Sequence, residues 1–340
     1  MKKVSLKIGQ HTTQYFFDAS FQQLGSLIEF NHTVFITDDH VFAKHKSKFK
    51  GHNVIVLKPG EEYKIQATAD SIIGQLIEMG ADRKTWLVGV GGGVVTDITG
   101  YVAALYMRGI NYGFVPTTVL AMVDAAIGGK NGVNVGLYKN LVGAIRQPEF
   151  LLYDYSFLKS LPRNEWSSGF AEIIKHACIH DAPMFRQLEK NTISFYKKNT
   201  GAMSALVKRN ALLKSEIARS DEHEQGIRKM LNFGHTLGHA LENIYELTHG
   251  QAISIGMVAA SMVSQNLTGF KDTSRVMSLL KKYDLPVSAA YDTKKVFSLM
   301  KMDKKKDREN INYVMLEKIG KGIIKPIPLK QLEEMINDLQ

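Results

Sequence analysis

Thr85-Trp86-Leu87-Val88-Gly89-Val90-Gly91-Gly92-Gly93-Val94-Val95-Thr96-Asp97 reads as a buried strand, a glycine turn and the opening of a helix. The apolar run does not alternate, which is the pattern of a strand covered on both faces. Glycines behind such a strand let the backbone approach a pyrophosphate, and the free N–H groups of the helix start attract the anion. The stretch departs from G-x-G-x-x-G, because the third glycine position counted from Gly89 holds Val94. A tight βα turn without a ligand can carry the same letters. The order strand, turn, helix is what favours a dinucleotide.

The same rhythm runs outward on both sides. Residues 32–37 and 53–57 are short β-branched runs, ended by Asp38-Asp39 and Lys58-Pro59-Gly60. Residues 63–80 place Ile65, Ile72, Ile73, Leu76 and Ile77 at helical spacing. Residues 94–107 return to helix and 112–116 to strand. Alternating strands and helices predict βαβ units and a mainly parallel sheet. Asp38, just past a strand, is a candidate for a ribose hydroxyl and equally for a helix cap. Beyond about residue 155 the strand signals thin out. Residues 166–179, 202–217, 234–246 and 252–267 read as helices, with a hairpin-like pair near 311–315 and 322–327. The expected fold is α/β: an N-terminal Rossmann-like parallel-sheet nucleotide-binding domain over 1–155 and a mainly α-helical C-terminal metal- and substrate-binding domain over 156–340.

A chain of 340 residues fits two domains. The single cysteine, Cys178, excludes an intrachain disulfide and a cysteine-built metal site, and it fits a reducing cytoplasm. Lys7 breaks the N-terminal apolar run too early for a signal peptide, and no apolar stretch is long enough to span a bilayer. Net charge is +10, but the basic residues are scattered. The densest run, Lys301 to Arg308, contains Asp303 and Asp307 and no aromatic interleaving. The balance is therefore read as solvated surface plus an anionic small substrate, with no nucleic acid and no membrane as partner.

Two further stretches carry metal-binding chemistry: Gly169-Phe170-Ala171-Glu172-Ile173-Ile174-Lys175-His176, and Asn232-Phe233-Gly234-His235-Thr236-Leu237-Gly238-His239-Ala240-Leu241-Glu242 followed by His249-Gly250. Glu172, His235, His239 and His249 exceed what a three-ligand catalytic site needs, so one belongs outside the ligand set. His235 and His239, spaced i, i+4, share a helix face, and spacing alone favours that pair. The pattern is close to H-E-x-x-H but has Thr236 in place of the glutamate base, which argues against a zinc peptidase.

Taken together, the blocks resemble the 3-dehydroquinate synthases, a family of sugar-phosphate cyclases, over essentially the whole chain. The blocks are Pro59-Gly60-Glu61-Glu62-Tyr63-Lys64; Gly91 to Asp97; Arg108-Gly109; Pro116-Thr117-Thr118; Asp124-Ala125-Ala126-Ile127-Gly128-Gly129-Lys130; Lys139-Asn140; Gly169 to Lys175; Asp221 to Arg228; Asn232 to Glu242; His249-Gly250; and Asp303-Lys304-Lys305. Thr96 stands where many members have Gly, and Asn131 where many have Thr. The resemblance implies that Glu172, His235 and His249 are the metal ligands, which sets aside the spacing preference for His239. It implies cofactor contacts at Glu61, Glu62, Tyr63 and Lys64, at Gly93, Val94, Val95, Thr96 and Asp97, at Thr117, Thr118, Lys130 and Lys139, and along Phe157, Leu158, Lys159 and Ser160, beside the Asp38 read above. It places Asp124, Lys130, Asn140, Lys175, Lys214, Arg228, Asn232, His239 and the Lys304 region at the substrate. Arg108 would reach across a homodimer.

The implied reaction accounts for these residue types. Its substrate, 3-deoxy-D-arabino-heptulosonate 7-phosphate, carries a carboxylate and a phosphate, so lysines and arginines are expected. A divalent metal, zinc or cobalt, would bind adjacent hydroxyls and acidify the one to be oxidised. Transient oxidation by NAD, phosphate elimination, re-reduction and an intramolecular aldol closure would give 3-dehydroquinate. The enzyme would be a phosphorus–oxygen lyase of the shikimate pathway, in aromatic amino-acid biosynthesis. Another sugar-phosphate cyclase, or a metal-dependent polyol dehydrogenase of related fold, would share much of this pattern. Local alternatives also stand: Lys130 and Lys139 as surface lysines, Asp124 as a helix cap, and Arg228 paired with Glu224.

Overall fold

A computed structural model describes residues 1–136, 138–302 and 310–337. The chain forms two compact units, Met1–Glu165 with Asn199–His223, and Trp166–Lys198 with Glu224–Gln340.

The first unit is built on β1 (Lys2–Ile8), β2 (His11–Phe17), β3 (Thr33–Asp38), β4 (Asn53–Leu57), β5 (Trp86–Gly91), β6 (Tyr112–Pro116), a hairpin of β7 (Lys130–Val135) and β8 (Tyr138–Ile145), and β9 (Phe150–Leu152). Its helices are α1 (Asp39–His45), α2 (Gln66–Glu78) and α3 (Gly93–Leu105). Seven strands form one sheet in the order β1-β2-β9-β6-β5-β3-β4. β3, β4, β5, β6 and β9 are parallel, with Ile36 opposite Gly89 and Gly89 opposite Phe114. This is the parallel sheet that the βα rhythm predicts. β1 and β2 add an antiparallel hairpin at one edge, which the sequence reading did not anticipate. From β3 the chain steps outward to β4, then crosses to β5 on the other side of β3. In doubly wound sheets a ligand sits beyond the carboxyl ends of the strands at such a reversal, and Gly91 lies at that end of β5.

The sheet is held by complete burial of its central strands. Phe16, Phe35, Val88, Val90, Val115, Leu152 and Phe157 belong to one apolar cluster. From α3, Ile98 and Val102 are fully buried. At about 1.5–3 kcal/mol per buried large apolar side chain, this core sets the rigidity of the strand ends.

The chain leaves the first unit along α4 (Arg163–His180), continues as α5 (Ala182–Lys190) and α6 (Ile193–Lys198), and returns as α7 (Thr200–Ser220). By this grouping α7 goes with the first unit, whereas the sequence reading sets one boundary after residue 155. α7 packs on β1, and Ser215 donates to the Tyr15 hydroxyl at 2.8 Å. Its helical period was legible, but periodicity does not say which core a helix joins.

The second unit continues with α8 (His235–Ile244), α9 (His249–Thr268), α10 (Thr273–Lys282), α11 (Thr293–Met302), the antiparallel pair β10 (Asn310–Lys318) and β11 (Lys321–Pro328), and α12 (Leu329–Asn337). α4 is buried on every side from Trp166 to Ile179, as befits a central helix. α9 is tied to β10 through Ser264, whose hydroxyl accepts from Leu316 N at 2.9 Å. No helix among the described residues is long and apolar enough to cross a membrane.

Candidate active site

In the first unit, the residues expected to hold a dinucleotide lie just beyond the carboxyl ends of the parallel strands. Asp38 ends β3, Glu61 to Lys64 follow β4, Gly93 to Asp97 open α3 after β5, Thr117 and Thr118 follow β6, and Phe157 to Ser160 follow β9. Asp38 does act as a cap, accepting from Val41 N at 2.9 Å. Burial raises its carboxyl against that pull. Thr118 accepts from Ala121 N at 3.0 Å, and the Thr96 hydroxyl donates to Gly93 O at 3.0 Å. Thr117 differs: its hydroxyl is buried and has no partner among the described residues. An orphaned hydroxyl beside a helix start is a group that a phosphate or ribose would satisfy. Ser160 is held from α1, by His45 Nε2 at 2.8 Å and by Lys44 Nζ on its carbonyl at 3.0 Å.

A polar network joins these segments. Lys64 Nζ lies 2.5 Å from Asp97 Oδ2 and 2.6 Å from Asn140 Oδ1. Asn134 binds the Glu61 carboxylate at 2.8 Å and accepts from Asn140 N at 3.0 Å. Burial pushes the Asp97 carboxyl up, opposed by Lys64. Lys214, on α7, lies 2.7 Å from Asp124 Oδ1 and donates to Asp124 O at 2.8 Å. Asp124, in the π-helical turn Ala121–Ala125, thus pairs with a lysine. Lys130 is exposed at the start of β7, and Lys139 is half-buried on β8. Asn134 was not singled out in the sequence, because nothing in its spacing marks it.

Asn131 shows how the β7–β8 hairpin is fixed. Its amide nitrogen reaches Gly129 O at 2.8 Å and Arg146 O at 3.0 Å, which ties the two strands together at the open end of the hairpin. The side chain fits only because α3 carries Gly100 there; a Cβ at Gly100 would stand 1.9 Å from Asn131 Oδ1. Gly100→Ala is expected to cost about 1–3 kcal/mol by overpacking. Adding Asn131→Ala makes room, so the double variant should lose less than the sum of the two single changes in denaturant midpoints. Strict additivity would show that Asn131 can swing aside freely.

In the second unit three side chains from three helices converge. Glu172 comes from α4, His235 from the start of α8 and His249 from the start of α9. Their ligand atoms all lie within 4.8 Å of one another. His249 Nε2 is 3.1 Å and His235 Nε2 3.6 Å from Glu172 Oε1. Local structure fixes His249. Thr248 caps α9 with Gln251 in a reciprocal capping box. Gly250 then lets α9 approach α4, since a Cβ there would meet Ser168 Cα at 2.4 Å. On the other ring, His235 Nδ1 is 3.2 Å from Phe233 O, which leaves its Nε2 toward Glu172.

Burial, then Lys175, hold the His235 imidazole well below its ordinary value. Burial would also lower His249, but the Glu172 and Glu242 carboxylates win and hold it up to about 10. A fully buried carboxylate and two imidazoles with Nε2 turned inward are the donor set of an open tetrahedral metal site. His239 does share the helix face of His235, with ring centroids 4.9 Å apart, yet it stands outside the three-atom cluster.

Lys175 pairs with Glu172 one turn away on α4 and is buried. Arg228 is 2% exposed, and Asn232 donates to Glu224 Oε1 at 2.7 Å. Lys304 and its neighbours lie outside the described residues. Arg108 is exposed and, with Met107, adopts positive φ.

Residues 54–168 match the model of the 3-dehydroquinate synthase N-terminal domain, and 169–306 that of the C-terminal domain. The 3-dehydroquinate synthase of Listeria monocytogenes is 41% identical over 315 residues, 88% of this chain and 85% of its own. The fold is similar to that of 2-deoxy-scyllo-inosose synthase solved with carbaglucose-6-phosphate, NAD+ and Co2+, with a TM-score of 0.86 at 25% identity over 99% of this chain and 100% of that one. A 2-epi-5-epi-valiolone synthase from Streptomyces hygroscopicus has a TM-score of 0.87 at 24% identity, covering 100% and 99% of the two chains.

Proposed function

The chain belongs to the 3-dehydroquinate synthase family, and from that premise we infer its reaction: 3-deoxy-D-arabino-heptulosonate 7-phosphate is converted to 3-dehydroquinate with release of phosphate. The protein is a phosphorus–oxygen lyase of the shikimate pathway that uses NAD and a divalent metal. The observation that carries the catalytic reading is the meeting of Glu172, His235 and His249 atoms within 4.8 Å, in a chain with this family match.

When bound, NAD supplies a reversible hydride acceptor, and zinc or cobalt supplies a Lewis acid for the substrate hydroxyls. The residues are assigned as follows. Glu172 Oε1 and the Nε2 atoms of His235 and His249 hold the metal. Thr117 Oγ1, the α3 start at Gly93 to Asp97, and the Glu61–Lys64 turn hold the cofactor, with Thr118, Lys139 and Phe157 to Ser160 around it. Arg228 grips the substrate carboxylate in two parallel N–H bonds, a geometry lysine cannot copy. Asn232 and His239 orient it. Lys130, Lys175 and Lys214 supply positive charge for the phosphate and for developing oxyanions, with Asp124 fixing the Lys214 ammonium. Asn140 completes the set.

We also assign cytoplasmic action and a homodimer. The lone cysteine is buried and free, in keeping with a reducing compartment. Leu141 on β8 is 69% exposed, and Leu105, Met107 and Ile145 are exposed as well. Exposed apolar side chains of that kind are what a second copy would cover.

Phosphate release from the heptulosonate phosphate should stop with chelator and return with zinc or cobalt. It should run for many turnovers per NAD supplied, without NADH building up. Steady NADH formation from a simple polyol, with no phosphate released, would replace this reading by that of a dehydrogenase.

A further inference from the structure

The ring of His249 has two sides, and only one faces the metal cluster. Its Nε2 points to Glu172 Oε1 at 3.1 Å, while its Nδ1 lies 3.5 Å from Glu242 Oε2. Glu242 sits on α8, two turns after His235 and on the same helix face. Its side chain is 11% exposed. The partner ring is arranged alike: His235 Nδ1 meets the Phe233 carbonyl, and its Nε2 turns inward. Both imidazoles therefore have an acceptor behind Nδ1 and Nε2 turned toward Glu172 in front. One acceptor is backbone and cannot be changed by substitution. The other is a side chain.

We propose that Glu242 is a positioning residue: it holds the Nδ1–H tautomer and the ring plane of His249, so that Nε2 is presented to the metal. A carboxylate behind a ligating imidazole also raises the basicity of the ligand nitrogen, and losing such a group weakens metal binding by about 10–100-fold. Because Glu242 contributes no atom to the three-atom cluster, its loss should weaken the site without emptying it. The inference rests on His249 being a ligand, as assigned above.

The test uses the full-length metal-free protein, with Zn2+ and Co2+ titrated against a competing chelator and melting temperature followed in parallel. Glu242→Ala is expected to bind both ions about 10–100-fold more weakly and to shift the Co2+ absorption bands. Glu242→Gln keeps an acceptor oxygen and should recover most of the affinity. His249→Ala should lose high-affinity binding altogether. If Glu242→Ala binds as the unaltered protein does while His249→Ala does not, the positioning role is wrong and the ligand assignment stands. If His249→Ala also binds normally, the ligand assignment itself falls. A Glu242→Ala protein that melts lower yet binds metal normally shows a purely structural residue and overturns the proposal. So does a Glu242→Gln protein as weak as Glu242→Ala.

Discussion

His235→Ala is expected to remove metal and turnover together, whereas His239→Ala should keep the metal. Catalytic zinc sites use three protein ligands, and the variant keeps only two. His235 Nε2 lies 3.6 Å from Glu172 Oε1, inside the cluster. His239 lies beside His235 but outside it. Metal content after dialysis and phosphate release, measured on the same samples, check both variants. A His239→Ala protein that loses its metal, beside a His249→Ala protein that keeps it, would restore the i, i+4 pair as ligands.

The same site predicts a pH dependence. In the metal-free protein the two carboxylates hold His249 up to about 10, so at neutral pH this ring carries a proton that a metal must displace. Apparent affinity should therefore rise by about tenfold per pH unit from pH 6 to 8, as one proton is released per ion. A flat profile would mean that His249 is already neutral.

Parts of this architecture were open to reading and parts were not, for physical reasons. β5 and its glycine turn stood out because a strand covered on both faces is a continuous apolar run. The β1–β2 hairpin was equally written, in the alternation of Val4, Leu6 and Ile8 against Lys3, Ser5 and Lys7. Lys7, which argues against a signal peptide, is one of the outward-facing residues of that strand. β8 offered no such alternation, since Leu141, Val142 and Ile145 are all exposed.

The metal cluster was half legible. Spacing shows that His235 and His239 share a face, but not where the ring nitrogens converge. His249 joins them from another helix, through a cap and a close helix contact far apart in sequence. Asn134 acts through Glu61, 73 residues away in sequence, and local pattern carries no trace of that.

Lys64→Met is expected to destabilise the first unit by about 3–5 kcal/mol, because it leaves one member of a buried ion pair without its partner. The Lys64 side chain is 5% exposed and Asp97 17%, with 2.5 Å between their charged atoms. Glu61 also lies near and disfavours charge on Asp97. The sign of the pH effect follows from the direction of the shift. Burial already raises Asp97 against the pull of Lys64, and removing Lys64 raises it further. A carboxyl whose folded value lies above its unfolded one favours folding below the unfolded value, and that favour is lost as pH rises through the folded value. The variant should therefore lose stability relative to the parent between acid and neutral pH. Adding Asp97→Asn removes the orphaned charge, so the double variant should regain stability at neutral pH and lose the pH dependence. Denaturant midpoints at several pH values decide this. A double variant no more stable than Lys64→Met at neutral pH would show that Lys64 holds the turn through Asn140 and Glu61 rather than by neutralising Asp97.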